Sequence, residues 1–311
     1  MGRRPRPRGP VIDAVLVIDK TSGPSSHDAV AAVRRIVGHS RVGHTGTLDP
    51  LATGVLIMGV GRATRLVPYL QGGKKTYVAT AQLGVATDSY DAMGAITQTV
   101  DAIHITGEDV AAALTSFVGE ITQLPPMVSA VKVDGERLYA KARRGEEVTR
   151  PVRHVEVFSL TLDSFTASTH PNLTFTVTCG PGTYIRTIAH DLGVALGVGA
   201  HLTALRRTAN GGFTDEQAVT VDTLTSENWR DYTVDMVDAL ATHMPVHVVE
   251  NPEAIRLLTH GGKLTFDGAP GPVVAVQQQT DGTRRLIGIY DGDEAATRKP
   301  AFVMLRPEDL E

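Results

Sequence analysis

The 311-residue chain has one cysteine, Cys179. A single thiol excludes a disulfide framework and a cysteine metal cluster. It fits a reducing, cytoplasmic setting, and Cys179 itself reads as a buried structural residue. No apolar stretch approaches the ~20 residues that cross a bilayer, so no membrane span is expected. The N-terminus MGRRPRPRGP is basic and proline-rich, but no long apolar core follows it. It is therefore not a secretory signal, and residues 1–10 read as a disordered basic arm. Internal repeats are lacking, and low-complexity sequence is confined to that arm.

Excess positive charge is also lacking, since the net charge is −4. Its distribution is uneven, however. Residues 1–75 hold twelve Lys/Arg and four Asp/Glu, a net of +8, and the remaining 236 residues carry −12. Such asymmetry suggests a polyanion-binding face on one part of the fold. Four of the twelve positive charges fall in the first eight residues, so a basic tail on an acidic protein is the less favoured alternative. Apolar residues make up 42% of the chain, which is enough for a full core. The length suggests two domains.

AVLVIDK (14–20) reads as a strand and SSHDAVAAVRRIVG (25–38) as a helix, with apolar residues at helical spacing and a glycine stop. GVLIMGVG (54–61) reads as a buried strand, and TRLVPYL as a short helix broken by Pro68. KTYVATAQLGVAT (75–87) alternates as a half-buried strand does, and EDVAAALTSFVGEI (108–121) reads as an amphipathic helix. HVEVFSLTLDSF and NLTFTVTCG read as paired strands, and GTYIRTIAHDLGVALG (182–197) becomes a helix after its glycine. The acidic VDTLTSENWRDYTVDMVDAL reads as peripheral. From about Met244, short strands separated by turn residues suggest a small all-β domain.

The chemistry centres on VGHTGTLDPLATGVLIMGVGRATRL (42–66), whose one acid is Asp49. Pro50 biases Asp49 away from helical geometry, and the surrounding glycines permit positive φ and close backbone approach. Taken by itself, LDP is more often an Asx turn. The phosphate-loop pattern does not apply, because its glycine–lysine order is missing and the loop has no lysine. Asp49 could also act as a nucleophile in glycosyl transfer. Burial would then raise its pKa, and a cation would have to hold it ionised. Arginine suits that task, and Arg186, Arg62 and Arg65 are candidates. A glycosidase would want a second carboxylate, yet none lies near Asp49 in sequence; Asp28 and Asp88 are its closest acidic neighbours.

GHTGTLDPLATGVL resembles the catalytic motif of the bacterial tRNA pseudouridine-55 synthases, the TruB-type family. VIDKTSGPSSHDAV, KKTYVATAQLG and GTYIRTIAHDLG resemble the family's other motifs. PPMVSAVKVDGERLYAKARRGEEVTRP and GAHLTALRRT also resemble family segments, in the family's order. Together these lie within residues 12–213. The resemblance implies that Asp49 is the nucleophile in isomerising uridine to pseudouridine. It implies that Tyr77 stacks on the flipped uracil, that Arg186 pairs with Asp49, and that Tyr184 and Leu205 line the uracil pocket. His44 would stack near the flipped nucleotides, and Lys20 would lie beside the cleft. Residues 132–154, with seven Lys/Arg against four acids, would meet the RNA loop and suit phosphate contact. Thr21 stands where the family commonly has proline. LLTHGGKL faintly resembles the start of a PUA-like domain, although residues 248–311 carry a net −3.

The expected architecture is α+β. A mixed-sheet pseudouridine-synthase catalytic domain would span 11–243, and a small β-barrel-like, PUA-like domain would span 244–311. The expected partner is the T-arm of tRNA, with no cofactor, no metal, no membrane and no obligate protein partner. The alternative from another class is a non-catalytic RNA-binding or tRNA-folding protein on the same scaffold. An intact Asp49, Tyr77 and Arg186 set argues against it.

Overall fold

The computed structural model describes residues 13–127, 150–265, 270–292 and 297–310, with the backbone alone at 132–133 and 136–137. The basic arm and most of the basic stretch 132–154 lie outside the described residues.

The first strand, β1 (Ala14–Lys20), is buried at every position except Asp19. A continuous apolar run suits a strand covered on both faces. Helix α1 (Ser26–Val37) begins in a capping box: the Ser25 side chain accepts from the Asp28 backbone, and the Asp28 carboxylate accepts from the Ser25 backbone. It ends at Gly38 in the left-handed region. Next come β2 (Val42–His44), β3 (Thr53–Val60), the short α2 (Val67–Leu70) and β4 (Lys75–Leu83). A hairpin of β5 (Val85–Thr87) and β6 (Ile96–Thr99) leads to α3 (Gly107–Leu114) and β7 (Gly119–Gln123). The two-residue strands β8 (Lys132–Val133) and β9 (Glu136–Arg137) pair with each other. After them come β10 (Arg153–Thr166), β11 (Asn172–Cys179), α4 (Ile185–Ala195) and β12 (Ala200–Asn210). The short strands β13 (Phe213–Thr214), β14 (Val219–Thr220) and β15 (Thr233–Val234) precede α5 (Met236–Ala241).

The main sheet has the order β14-β1-β3-β12-β4-β11-β10-β7; in addition β2 pairs with β3, β13 with β12 and β15 with β1. It is mixed: β1–β14 and β3–β12 run parallel, and the remaining pairs are antiparallel. Successive side chains of a strand point to opposite faces, and β1 and β3 use both. Leu16, Ile18, Leu56 and Met58 join the core under α1, α3 and α4. Val15, Val17, Val55 and Ile57 join a second core on the reverse face.

That reverse core is completed by the C-terminal strands. β16 (Val246–Val248), β17 (Leu264–Thr265), β18 (Val273–Gln278), β19 (Arg284–Asp291) and β20 (Thr297–Val303) form a curled sheet of order β16-β18-β19-β20-β17. Its Val274, Val276, Leu286, Ile289 and Phe302 join that core, together with Val237 and Leu240 of α5. Its other side packs on α6 (Pro252–Thr259) through Val273, Ala275, Ile287 and Tyr290. The architecture is thus the α+β fold with a small barrel-like C-terminal unit.

Three local expectations need correction. The helix expected over 108–121 stops at Leu114. The Thr115 and Ser116 hydroxyls donate back to the Ala112 and Ala113 carbonyls, and Gly119, at φ 99, turns the chain into β7. Pro68 does not break a helix but sits in the first turn of α2, where its missing N–H costs nothing. The acidic stretch after Thr220 is not peripheral. Trp229 is 2% exposed, and it and Leu224 lie in the helix-side core. Val237 and Leu240 lie in the reverse core.

Candidate active site

The loop between β2 and β3 carries Asp49, and four buried polar side chains pin it. Ser26 Oγ donates to the Leu48 carbonyl and accepts from the Leu48 N–H, both at 2.9 Å. Lys20 Nζ donates to the carbonyls of Ala52 (2.7 Å), Thr21 (3.0 Å) and Pro50 (3.3 Å). Arg207 Nε donates to Val55 O at 2.6 Å, and its Nη2 to Gly46 O at 3.0 Å. Asn210 Nδ2 donates to Thr45 Oγ1 at 3.2 Å. Arg207 reaches the loop because β3 and β12 run unusually close at Gly54. That residue has φ +100, and a Cβ there would overlap the Arg207 carbonyl, so only glycine fits.

The carboxylate meets its cation across the sheet end. Arg186, in the first turn of α4, places Nε 2.9 Å from Asp49 Oδ2. Its Nη1 donates to Asp91 Oδ2 at 3.0 Å and to Ser89 O at 3.1 Å. The guanidinium therefore bridges two carboxylates. Asp91 is itself held by Ser89 Oγ (2.6 Å) and the Met93 N–H (3.0 Å). Arg186 and Asp91 are almost wholly covered, whereas the Asp49 side chain keeps 37% of its surface open. Burial pushes the Asp49 carboxyl above the usual range. Arg186 opposes this most strongly, Asp91 adds to it, and Lys20 opposes it.

The open face of Asp49 looks into a pocket shared with Tyr77, Tyr184, Arg186 and Leu205. Tyr77 projects from β4 at an inward position, 7% exposed, with the Arg207 guanidinium 5.9 Å from its ring centroid. Burial raises the Tyr77 pKa, and Arg207 opposes that rise. Tyr184 precedes α4. Its N–H donates to Gln123 Oε1 (2.9 Å), and its carbonyl accepts from Gln123 Nε2 (3.1 Å).

Five of the seven residues singled out in the sequence thus meet in one pocket. The other two do not line it. Lys20 sits beneath the Asp49 loop, with its ammonium engaged by three carbonyls. Burial pushes its pKa down to about 8, against the attraction of Asp49. His44 is half-buried at the end of β2, edge-on to His27 at 5.6 Å. Burial, then His27 and Arg207, lower its pKa to about 4, so its ring is neutral at pH 7.

Sequence reasoning missed Asp91, Arg207 and Lys75. Lys75 lines the same pocket while donating to the Gln71 and Gly73 carbonyls at 2.9 Å. Burial and Arg207 lower its pKa to about 8. Arg207 stood in the segment GAHLTALRRT without a role. Asp91 lies 95 residues from Arg186, and only its DSYD turn pattern hinted at it. Among the described residues no group of His, Cys, Asp and Glu is placed to hold a metal ion, and no helix is long and apolar enough to cross a membrane.

Residues 34–185 match the TruB family pseudouridylate synthase N-terminal domain, and residues 186–244 match the tRNA pseudouridylate synthase B C-terminal domain. The chain belongs to the TruB family. Among its relatives is a tRNA pseudouridine synthase B of Thermobifida fusca, 47% identical over 90% of this chain and 99% of that one. Another, of Nocardia farcinica, is 42% identical over 100% of this chain and 99% of its own. Among solved structures, an H/ACA RNP bound to a substrate RNA containing 2'-deoxyuridine has a chain that superposes with TM-score 0.71. It is 24% identical and covers 95% of this chain and 86% of its own, a likeness of fold. Both family matches run across the site: Asp49, Tyr77, Asp91 and Tyr184 fall in the first, and Arg186, Leu205 and Arg207 in the second.

Proposed function

We propose that this protein isomerises the T-loop uridine of tRNA, position 55 in tRNA numbering, to pseudouridine, with Asp49 as the nucleophile. The observation that carries the reading is the Asp49 carboxylate, ion-paired with Arg186 and open to a pocket that Tyr77 also lines. Family membership and the tRNA named by the relatives point the same way.

Chemistry on a base requires that it leave the stack, at a cost of a few kcal/mol. Stacking on an aromatic face returns about 1–3 kcal/mol per base, and Tyr77 supplies that face. The N1–C1′ bond breaks, the ring turns, and C5 bonds to C1′. The C5 proton is lost and N1 gains one, so no atom enters or leaves overall, and neither a redox cofactor nor ATP takes part. Attack on C1′, addition at C6 and a glycal route share this balance, and each uses an ionised Asp49. Arg186 opposes the rise that burial causes in the Asp49 pKa and so favours the ionised form that this chemistry uses. The C5 proton goes to the Asp49 carboxylate or through the Tyr77 hydroxyl, both facing the ring. Tyr184 and Leu205 close the pocket around the uracil. His44 stacks outside it on the opened loop, and Lys20 acts through the loop that it holds.

The units are a basic arm at 1–10, a catalytic unit at 11–243 and a PUA-like unit at 244–311. The protein works in the cytoplasm on the tRNA T-arm, without an obligate protein partner. Incubation with an unmodified tRNA transcript, followed by pseudouridine mapping, tests the reading. Pseudouridine at position 55 is expected. An unmodified position 55 at enzyme excess overturns the assignment.

A further inference from the structure

Tyr90 is the one residue other than glycine, among those described, with a positive φ, 64°. A bulky side chain in the left-handed region is strained, and it persists only where its surroundings over-determine it. Glycine or asparagine would relieve that strain, so the tyrosine ring must contribute something its backbone does not.

The ring lies flat on His190, with centroids 3.8 Å apart and planes 12° from parallel. His190 is on α4, four residues beyond Arg186, and residues at that spacing share a helix face. Tyr90 directly precedes Asp91, which holds Arg186. The loop therefore touches α4 at two points one helical turn apart: Asp91 and Ser89 on Arg186, and Tyr90 on His190. Behind the loop, β12 ties the same residues by backbone bonds, Leu202 N–H to Tyr90 O at 3.0 Å and Ala92 N–H to Leu202 O at 2.9 Å. His190 Nδ1 is buried and makes no hydrogen bond among the described residues, so this ring contributes by stacking.

The geometry points to Tyr90 and His190 as a clamp that positions Asp91 on Arg186, and through Arg186 orients the Asp49 carboxylate. The Arg186 contacts hold the loop to α4 at one point, and the β12 bonds hold it from behind. The stack fixes its register along the helix. Both are positioning residues: neither lines the Asp49 pocket. The proposal rests on the reading of the pocket as a pseudouridine-forming site.

The test compares Tyr90→Ala, Tyr90→Phe, His190→Ala and the double alanine variant. Alanine keeps the strained backbone and removes the ring, while phenylalanine keeps the ring. Two readouts separate this proposal from the one it rests on. Amide hydrogen exchange at Ala92 and Leu202 reports the clamp whatever the activity. It should speed up about tenfold in Tyr90→Ala, with exchange along β4 and β11 unchanged, and should stay at the parental rate in Tyr90→Phe. Single-turnover pseudouridine formation on tRNA should fall about tenfold in Tyr90→Ala and His190→Ala, with tRNA affinity within twofold and Tyr90→Phe near the parent. The double variant should be no slower than either single one, because both remove the same contact. Unchanged exchange in Tyr90→Ala overturns the clamp. Faster exchange with a parental rate overturns its positioning role, as do additive losses in the double variant. Faster exchange in a protein whose parent makes no pseudouridine leaves the clamp standing and rejects the functional reading.

Discussion

Asp49 has two opposing influences on it, and its substitutions separate them. Burial makes its charge costly, and Arg186 offsets that cost. Asp49→Asn removes the anion and keeps the shape. Arg186 retains Asp91 and Ser89 as partners, so the variant should melt within a few degrees of the parent. It should make no detectable pseudouridine while binding tRNA within about tenfold, or ~1.4 kcal/mol. Parental product formation would return Asp49 to an ordinary turn residue. Arg186→Ala should raise the Asp49 pKa further, because it removes the largest opposing influence. Any residual activity that needs the ionised carboxylate should then move to higher pH in a rate–pH profile. His44 offers a stability test with a defined sign. Its folded pKa is depressed to about 4 from an ordinary 6.5, so between these values the unfolded chain binds more protons and acidification favours unfolding. The drop in urea midpoint from pH 6.5 to pH 4 should be smaller in His44→Gln than in the parent, and equal drops would refute it. Asp49, Tyr77 and Arg186 were legible in the sequence because each sits in a short motif. Asp91 and Arg207 were not, because what they do is a contact made 95 and 152 residues away.

At the scale of elements, the site depends on how closely two strands approach. β3 and β12 pair in parallel through only Thr53 and Gly54 against Arg206 and Arg207. There the Gly54 Cα faces the Arg207 backbone with no room for a methyl group. Gly54→Ala combines a strained φ, at about 1–3 kcal/mol, with a backbone overlap that forces the strands apart. It should cost more than ~3 kcal/mol in chemical denaturation, and it should also abolish activity by withdrawing Arg207 from Gly46 and Val55. A variant with parental stability would show that the strands can separate without consequence. β1, β3, β4, β11 and α4 could be read from the sequence, because continuous or alternating apolar runs and glycine stops record their environment directly. The end of α3 could not, since TSFVGEI is as apolar as a helix face and only the Thr115 and Ser116 hydroxyls and Gly119 turn it. α5 and the buried Trp229 were hidden by the acidic residues around them. Surface charge beside a helix says nothing about the face that packs inward.

For the whole molecule, the sheets and the cores divide the chain differently. The main sheet ends before Val246 and a second sheet follows, with α6 packed on it, so this end of the chain is not the all-β unit that the strand pattern after Met244 suggested. The reverse core crosses that division. Val15, Val17, Val55 and Ile57, each at most 1% exposed, pack in one cluster with Val274, Val276, Leu286 and Ile289. Arg62 adds a polar tie, pairing with Asp13 at 2.6 Å and donating to the Met304 carbonyl at 3.1 Å. Wholly uncovering four such aliphatic side chains costs roughly 6–12 kcal/mol, less whatever α5 still shields. That is comparable with the entire stability of an ordinary domain, ~5–15 kcal/mol. The C-terminal unit therefore belongs to the folding of the catalytic sheet, whatever it does with RNA. A chain truncated after residue 245 should be recovered largely insoluble, or should melt far below the full-length protein and expose apolar surface to a hydrophobic dye. β1 also carries Lys20, and the Val55 carbonyl of β3 anchors Arg207, two supports of the Asp49 loop, so the truncated chain should lose activity together with its fold. A soluble fragment that melts within a few degrees of the parent would show instead that the reverse core is dispensable and that the two units fold independently.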